Sequence, residues 1–407
     1  MSYTFRHHTL ANGLTIIAES SPSAHSAAVG FFVKTGARDE STRDMGVSHF
    51  LEHMMFKGAE GLSAEDLNRA FDEIGARNNA FTSNEMTCFY AHTLPEALPR
   101  ATELLGRMLR PSLRQEDFDT EKNVILEEIA MYKDIPSFVL FEAAVEKHFG
   151  AHPLAHRVLG TTDSITALPR DRMRAYFDAR YAADNTAVAL AGRVDFDAAC
   201  RQVDSLCGGW AATGVSRDPA VPPPVGGEFT QRMDSVNRGY LIAMAPAPSA
   251  SDDRRYAAAL LAAILGSSDN SRFHWALVEP GLAESAQASF DPHDGYGEFI
   301  VFAAADPDRL DEVWDVMQRE MATLRDSLQE SDLARLRAKV ATAATLSGER
   351  PLDRMQRLGR LWTTLGRYQS LDEELDCINA VTLDDLRAVA DTWPLSMVTV
   401  GRLLPKV

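Results

Sequence analysis

Ser48-His49-Phe50-Leu51-Glu52-His53-Met54 sets two imidazoles and a carboxylate one helical turn apart. His49 and His53 stand at i and i+4, and Glu52 lies at i+3. On a helix all three share one face. Two neutral imidazoles at this spacing are suited to a single zinc ion, with a neighbouring carboxylate able to hold and deprotonate a water. A surface helix that happens to carry two histidines is the simpler alternative. The flanks speak against it, because Met45-Gly-Val-Ser-His-Phe-Leu-Glu-His-Met-Met-Phe-Lys-Gly58 is apolar at Val47, Phe50, Leu51, Met54, Met55 and Phe56. Such a helix is mostly buried, and buried imidazole or carboxylate groups need partners.

A catalytic zinc takes a third protein ligand and leaves one position open. The segment TEKNVILEEIAMYKD, residues 120–134, reads as a helix with Val124, Ile125, Ile129 and Met131 apolar. Glu121 and Glu128 are seven apart and therefore fall on one face, about two turns from each other. Glu127 sits beside Glu128, and spacing alone does not choose between the pair.

The 407 residues carry Lys+Arg 41 against Asp+Glu 58, a formal charge of −17, and are 45% hydrophobic. This is a globular composition with room for two or three domains. The acidic balance argues against nucleic acid and anionic membranes as partners. No apolar run is long enough to span a bilayer, and MSYTFRHHTL lacks the features of a signal peptide. A cytoplasmic protein is expected. Cys88, Cys200, Cys207 and Cys377 are scattered, which suits reduced thiols rather than a disulfide framework or a metal cluster. His148, His152 and His156 straddle Gly150 and Pro153, so a shared metal is not expected there.

The clearest boundary is Asp218-Pro-Ala-Val-Pro-Pro-Pro-Val-Gly-Gly-Glu228, read as a stiff exposed linker between residues 1–217 and 229–407. The two parts look related. Ile165–Ala175 and Ile378–Ala388 match at five positions, each is read as a capped helix start, and each leads to an apolar strand ending in Gly-Arg. Asn12-Gly13 marks a hairpin, residues 25–34 a buried strand, and Ser63 with Asp66 a capped helix start. The fold class is α+β: two related domains, each a mainly antiparallel sheet with helices on one face. The helix over 252–266 takes the place of the histidine helix in the second domain but has no histidine, so one metal site per chain is expected.

Taken together, these features resemble the pitrilysin/insulinase family of zinc metallopeptidases, the inverzincins, in its short branch related to mitochondrial processing peptidase. The resemblance spans nearly the whole chain. HFLEHMMFKG is similar to the family's metal helix, EKNVILEEIAMYKD to its third-ligand helix and HPLAHRVLGT to a recurrent loop. NNAFTSNEMTCFY, residues 78–90, is similar to its substrate-holding strand. The resemblance implies that His49, His53 and Glu128 bind Zn2+, that Glu52 is the general base, and that Glu121 orients a ligand. It also implies that Asn79, Ala80, Phe81 and Thr82 hold an extended peptide by strand addition. The reaction implied is metal-assisted amide hydrolysis.

One departure stands out. The family pattern LRxKxGLxY supplies an arginine and, seven residues later, a tyrosine that contact substrate and oxyanion. Here Leu277 and Glu284 hold those positions. Arg272 and Tyr296 are nearby candidates to stand in for them. Members of this branch form half of a clamshell and pair to close a chamber, so a homodimer or a heterodimer with a related subunit is expected. The leading function is a zinc endopeptidase acting on unfolded peptides. The alternatives are a subunit that needs a partner's Arg/Tyr pair, a non-catalytic structural relative, and a metal-sensing module. The last has no use for Glu52.

Overall fold

A computed structural model describes residues 3–221, 223–234 and 236–406; Pro222 of the expected linker lies outside the described residues. The strands are β1 (Thr4–Thr9), β2 (Thr15–Ser20), β3 (Ala27–Val33), the short β4 (Gly58–Ala59) and β5 (Leu62–Ser63), β6 (Arg77–Thr82), β7 (Thr87–Thr93), β8 (Thr186–Gly192), β9 (Gly227–Met233), β10 (Gly239–Ala247), β11 (Ser285–His293), β12 (Tyr296–Ala305) and β13 (Thr399–Pro405). The helices of the first half are α1 (Val47–Met55), α2 (Ala64–Glu73), α3 (Leu98–Met108), α4 (Gln115–Tyr132), α5 (Pro136–Phe149), α6 (Thr162–Ala167), α7 (Arg170–Arg180) and α8 (Phe196–Cys207). Those of the second are α9 (Arg255–Gly266), α10 (Leu310–Ser327), α11 (Glu330–Gly348), α12 (Pro351–Leu365), α13 (Leu371–Ala380) and α14 (Leu383–Thr392).

Two sheets organise these elements, and they share one plan. The first runs β1-β2-β8-β3-β7-β6 and the second β11-β12-β10-β13-β9. In each, a hairpin at one edge (β6–β7, β11–β12) pairs with a buried strand (β3, β10). The last strand of that half (β8, β13) comes next, and an early strand (β2, β9) joins it in parallel. All other pairings are antiparallel, and β1 is an extra edge strand. The shared order is what duplication of one α+β unit produces. Helix α1 packs on β6 and α9 on the corresponding β11.

The compact units are not the linear halves expected from the sequence. One comprises residues 1–129, 156–218 and 345–369; the other comprises 130–155, 219–344 and 370–407. The chain does pass between them at Asp218, inside the expected linker, but two helices are exchanged. In the first unit the helices of its own half cover one face of the sheet, and α12 covers the other. Met355 and Leu358 of α12 pack on Ile17, Ala28, Phe32 and Cys88. In the second unit Leu140 and Ala144 of α5 cover Ile242, Met244, Ile300 and Leu403. Helices therefore lie on both faces of each sheet rather than one. An amphipathic helix needs an apolar face to cover and has no means of specifying which half provides it.

Glycine and charge fix the α12 contact. A Cβ at Gly359 would lie 2.1 Å from the Phe32 ring, and one at Gly30 would lie 2.5 Å from Met355 Sδ. Glu19 of β2, 1% exposed, receives Arg354 Nη1 at 2.7 Å and the Tyr368 hydroxyl at 2.9 Å. Buried charge is tolerated only when paired in this way.

Smaller expectations divide. Thr382 caps α14 through Asp385, whereas the N-cap of α7 is Pro169, whose side chain has no acceptor to offer. Strand β13 continues past Gly401-Arg402 to Pro405, and β9 begins within the expected linker, at Gly227. No helix among the described residues is long and apolar enough to cross a membrane.

Gly359→Ala supplies a test of the exchanged helix. Helix propensity alone favours alanine by about 1 kcal/mol. The clash with Phe32 should outweigh this and destabilise by about 1–3 kcal/mol net in urea unfolding. Unchanged or raised stability would contradict the close α12–β3 contact.

Candidate metal centre

Helix α1 enters through Gly46, whose φ of +92° lies in the left-handed region, and no side chain at the N-cap accepts from the first turn. The acceptor comes from upstream. Glu40 takes the Gly46 N–H on Oε2 and the Ser48 N–H on Oε1, both at 2.7 Å. A carboxylate at a helix start satisfies orphan N–H groups and meets the positive end of the helix dipole. Burial pushes the Glu40 carboxyl up to about 8, against the lowering effect of the Ser48 and Gly46 hydrogen bonds. The Ser48 hydroxyl and Tyr176 hydroxyl are 2.7 Å apart, and Tyr176 reaches Thr35 Oγ1 at 2.8 Å.

Helix α4 lies against α1. Phe50 and Phe118 stack with ring centroids 4.7 Å apart. This contact turns Glu121, Ile125 and Glu128 toward α1, while Glu127 is exposed. His49 Nε2 stands 3.8 Å from Glu128 Oε2, and His53 Nε2 stands 3.7 Å from the same oxygen. Zinc bonds of about 2.0–2.1 Å in a tetrahedron separate donors by about 3.3–3.4 Å. Both histidine–Glu128 separations exceed that spacing by a few tenths of an ångström, all three donor atoms lie within 4.8 Å of one another, and the N2O donor set suits zinc.

The surroundings tune each donor. Burial, and secondarily the charge of His53, lower the His49 pKa to about 3, so its ring stays neutral and its lone pair available. His49 Nδ1 is buried without a hydrogen-bond partner. Burial also opposes charge on His53, but the Glu121 hydrogen bond and the charges of Glu121, Glu128 and Glu52 outweigh it and raise that pKa. His53 Nδ1 lies 2.8 Å from Glu121 Oε1, and Lys57 pairs with the other Glu121 oxygen. Burial works against the Glu121 carboxylate, yet His53 and Lys57 prevail and lower its pKa. Burial raises the Glu128 and Glu52 carboxyls.

Glu52 connects the histidine helix to the sheet. Thr82 Oγ1 donates to Glu52 Oε2 at 2.5 Å. Thr82 closes the edge strand β6, together with Asn79, Ala80 and Phe81, and the outer edge of β6 is unpaired within the sheet. The strand, the carboxylate and the two imidazoles thus form one contiguous group.

The second-half positions are buried or already engaged. Leu277 is fully buried, and Glu284 pairs with Arg238 at 3.1 Å. Arg272 is held by Asp332 at 2.7 Å, and the Tyr296 hydroxyl is 2.9 Å from His148 Nε2. His148 and His156 are engaged separately, the latter with the Ala37 carbonyl. A second His/carboxylate grouping, Asp291, His293 and Glu298, lies on the β11–β12 hairpin. Its His293 Nε2 is 3.1 Å from Glu298 Oε1, hydrogen-bond contact rather than the wider gap found at Glu128. Sequence reasoning missed Glu40 and Lys57. Glu40 lies six residues before the N-cap, outside any local capping pattern. Lys57, four residues after His53, lies just past the end of α1, where helical spacing no longer fixes its direction.

Comparison with known proteins fits this geometry. Residues 15–162 match the family model described as insulinase (peptidase family M16), and residues 167–340 match the peptidase M16 inactive domain. An uncharacterized zinc protease of Streptomyces coelicolor is 34% identical over 400 residues, covering 95% of this chain and 86% of that protein. The chain belongs to the insulinase (M16) peptidase family. An uncharacterized zinc protease of Bacillus subtilis is 30% identical over 388 residues, covering 95% of this chain and 94% of its own length. The crystal structure of a protease from Helicobacter pylori has the same fold, with a TM-score of 0.93 at 18% identity and complete coverage of both chains.

The donor geometry predicts graded zinc affinities. Glu121→Ala should weaken binding about 10- to 100-fold, as removal of a ligand-orienting carboxylate does. Glu128→Gln should weaken it more, and Glu127→Gln should leave it unchanged. Competition with a chromogenic chelator measures all three; equal affinities for the Glu127 and Glu128 variants would contradict the arrangement.

Proposed function

We propose that this chain is a zinc-dependent endopeptidase that hydrolyses unfolded peptides bound along β6. The observation that carries the reading is the Thr82–Glu52 contact. It ties the unpaired edge of a sheet to a carboxylate that lies one residue from an i,i+4 histidine pair. His49, His53 and Glu128 would hold one zinc ion per chain, which when bound supplies Lewis acidity toward a water and the scissile carbonyl. Glu121 holds His53 by its Nδ1 and so fixes the direction of Nε2.

Glu52 is the general base. It takes a proton from the attacking water onto a carboxylate oxygen as the C–O bond forms, and in the following step delivers it to the departing amine nitrogen as the C–N bond breaks. The extended substrate pairs its backbone with β6, Asn79 to Thr82, which holds the peptide without reading most side chains.

The Leu277 and Glu284 positions favour a second feature, dependence on another subunit. A buried leucine and an ion-paired glutamate provide no donor for a developing oxyanion. A dimer, with itself or with a related chain, would bring the missing donors and enclose the site. Retention of Glu52 supports catalysis over a purely structural role, since a scaffold needs no general base.

Hydrolysis of a quenched fluorescent peptide tests the proposal. The purified chain should turn over peptide, and Glu52→Gln should retain zinc and lose at least about 100-fold in rate, the contribution typical of a positioned base. Equal turnover by the Glu52 variant would overturn the assignment. Zinc-loaded but inactive protein that gains activity with a related subunit would select the partner-dependent form.

A further inference from the structure

Strand β6 presents different chemistry on its two faces. Ala80 and Thr82 face α1, as the Thr82–Glu52 hydrogen bond requires. Arg77, Asn79 and Phe81 alternate with them and face α12; Phe81 packs in the cluster that includes Met355 and Leu358. On that second face the guanidinium of Arg360, from α12, sits over the Phe81 ring, 4.4 Å from its centroid. Stacking engages the flat face of the guanidinium and leaves its N–H edges directed outward.

Arg360 and Arg77 are both exposed, and neither makes an ion pair among the described residues. Their neighbours differ. Arg354, six residues earlier on α12, is committed to Glu19, and Arg357 donates to the Gln369 carbonyl. In a chain of net charge −17, two uncommitted guanidinium groups on one face of an edge strand form a local exception.

A peptide added to the β6 edge continues the pleat, so its side chains match the faces of the strand beside it. One alternate set lies toward Glu52. The other set lies over Arg77 and the stacked Arg360. We infer that Arg360, supported by Arg77, is a specificity-determining residue that selects peptides carrying an acidic side chain on the α12 face of the added strand. Arg77 and Phe81 are about 13 Å apart along the strand at 3.3 Å per residue, so the two arginines read positions about four residues apart. The carboxylate meets the outward N–H fork of Arg360, a geometry that lysine does not reproduce.

This inference rests on the strand-addition reading above, and binding separates the two. Nine-residue alanine/serine peptides with one aspartate or one lysine, moved through each position, are titrated into the zinc-loaded Glu52→Gln protein by fluorescence anisotropy. At one position aspartate should bind about 5- to 20-fold tighter than lysine, the range between an exposed ion pair and a hydrogen-bonded charge pair. Adding Arg360→Glu should reverse that preference at the same position, and Arg360→Ala should erase it. Both substitutions are at an exposed site, and an unchanged unfolding midpoint confirms that the fold persists. Peptides that bind with no aspartate preference in either protein would overturn the inference while leaving the peptidase reading intact. Absence of peptide binding, together with absence of hydrolysis by the parent chain, would overturn both.

Discussion

The contact between α1 and α4 is the constraint on which the site depends. A helix supplies two imidazoles at i,i+4 from its own geometry, but the third donor must come from elsewhere and arrive within a few tenths of an ångström. The Phe50–Phe118 stack sets the separation of the two helices. The His53–Glu121–Lys57 chain sets their rotation. Glu40 holds the start of α1 by two N–H groups and thereby fixes where its first turn begins. Relaxing any of these moves Glu128 relative to the imidazoles, and rigid support of this kind is what a metal constellation requires.

Duplication explains the rest of the architecture and the asymmetry within it. Two sheets with one strand order carry different helices at corresponding places. The α1 place holds a histidine pair, whereas the α9 place holds an alanine-rich helix with Ala257, Ala258, Leu260, Leu261, Ile264 and Leu265 buried. That second helix has become core. The exchange of α5 and α12 ties each half of the sequence to the other's sheet. It also brings Arg360, a residue of the second half, to the side of a strand belonging to the first.

Much of this was legible in the sequence because it was written locally. Asn12-Gly13 marked a hairpin, Ser63 with Asp66 a helix start, and the apolar flanks of HFLEH a buried helix. The relation between the halves was visible in Ile165–Ala175 and Ile378–Ala388, although only Thr382 caps by side chain. The exchange was not legible. The apolar faces of α5 and α12 have the same period whichever sheet they cover, and the only local hints of the α12 approach were Gly359 in mid-helix and Gly30 in mid-strand. Spacing left adjacent Glu127 and Glu128 open and only the family resemblance chose Glu128, the one that packing turns inward while Glu127 is exposed. Glu40 escaped because its capping role is created by the loop between it and Gly46, not by a spacing rule.

The central claim is that His49, His53 and Glu128 form one metal site. A crystal structure of the zinc-loaded protein, with anomalous data collected on both sides of the zinc edge, tests it most directly. The account predicts one strong anomalous peak per chain, about 2.0–2.2 Å from His49 Nε2, His53 Nε2 and a Glu128 oxygen. A peak coordinated by Glu127, or found at Asp291, His293 and Glu298 with none between the α1 histidines, would contradict it.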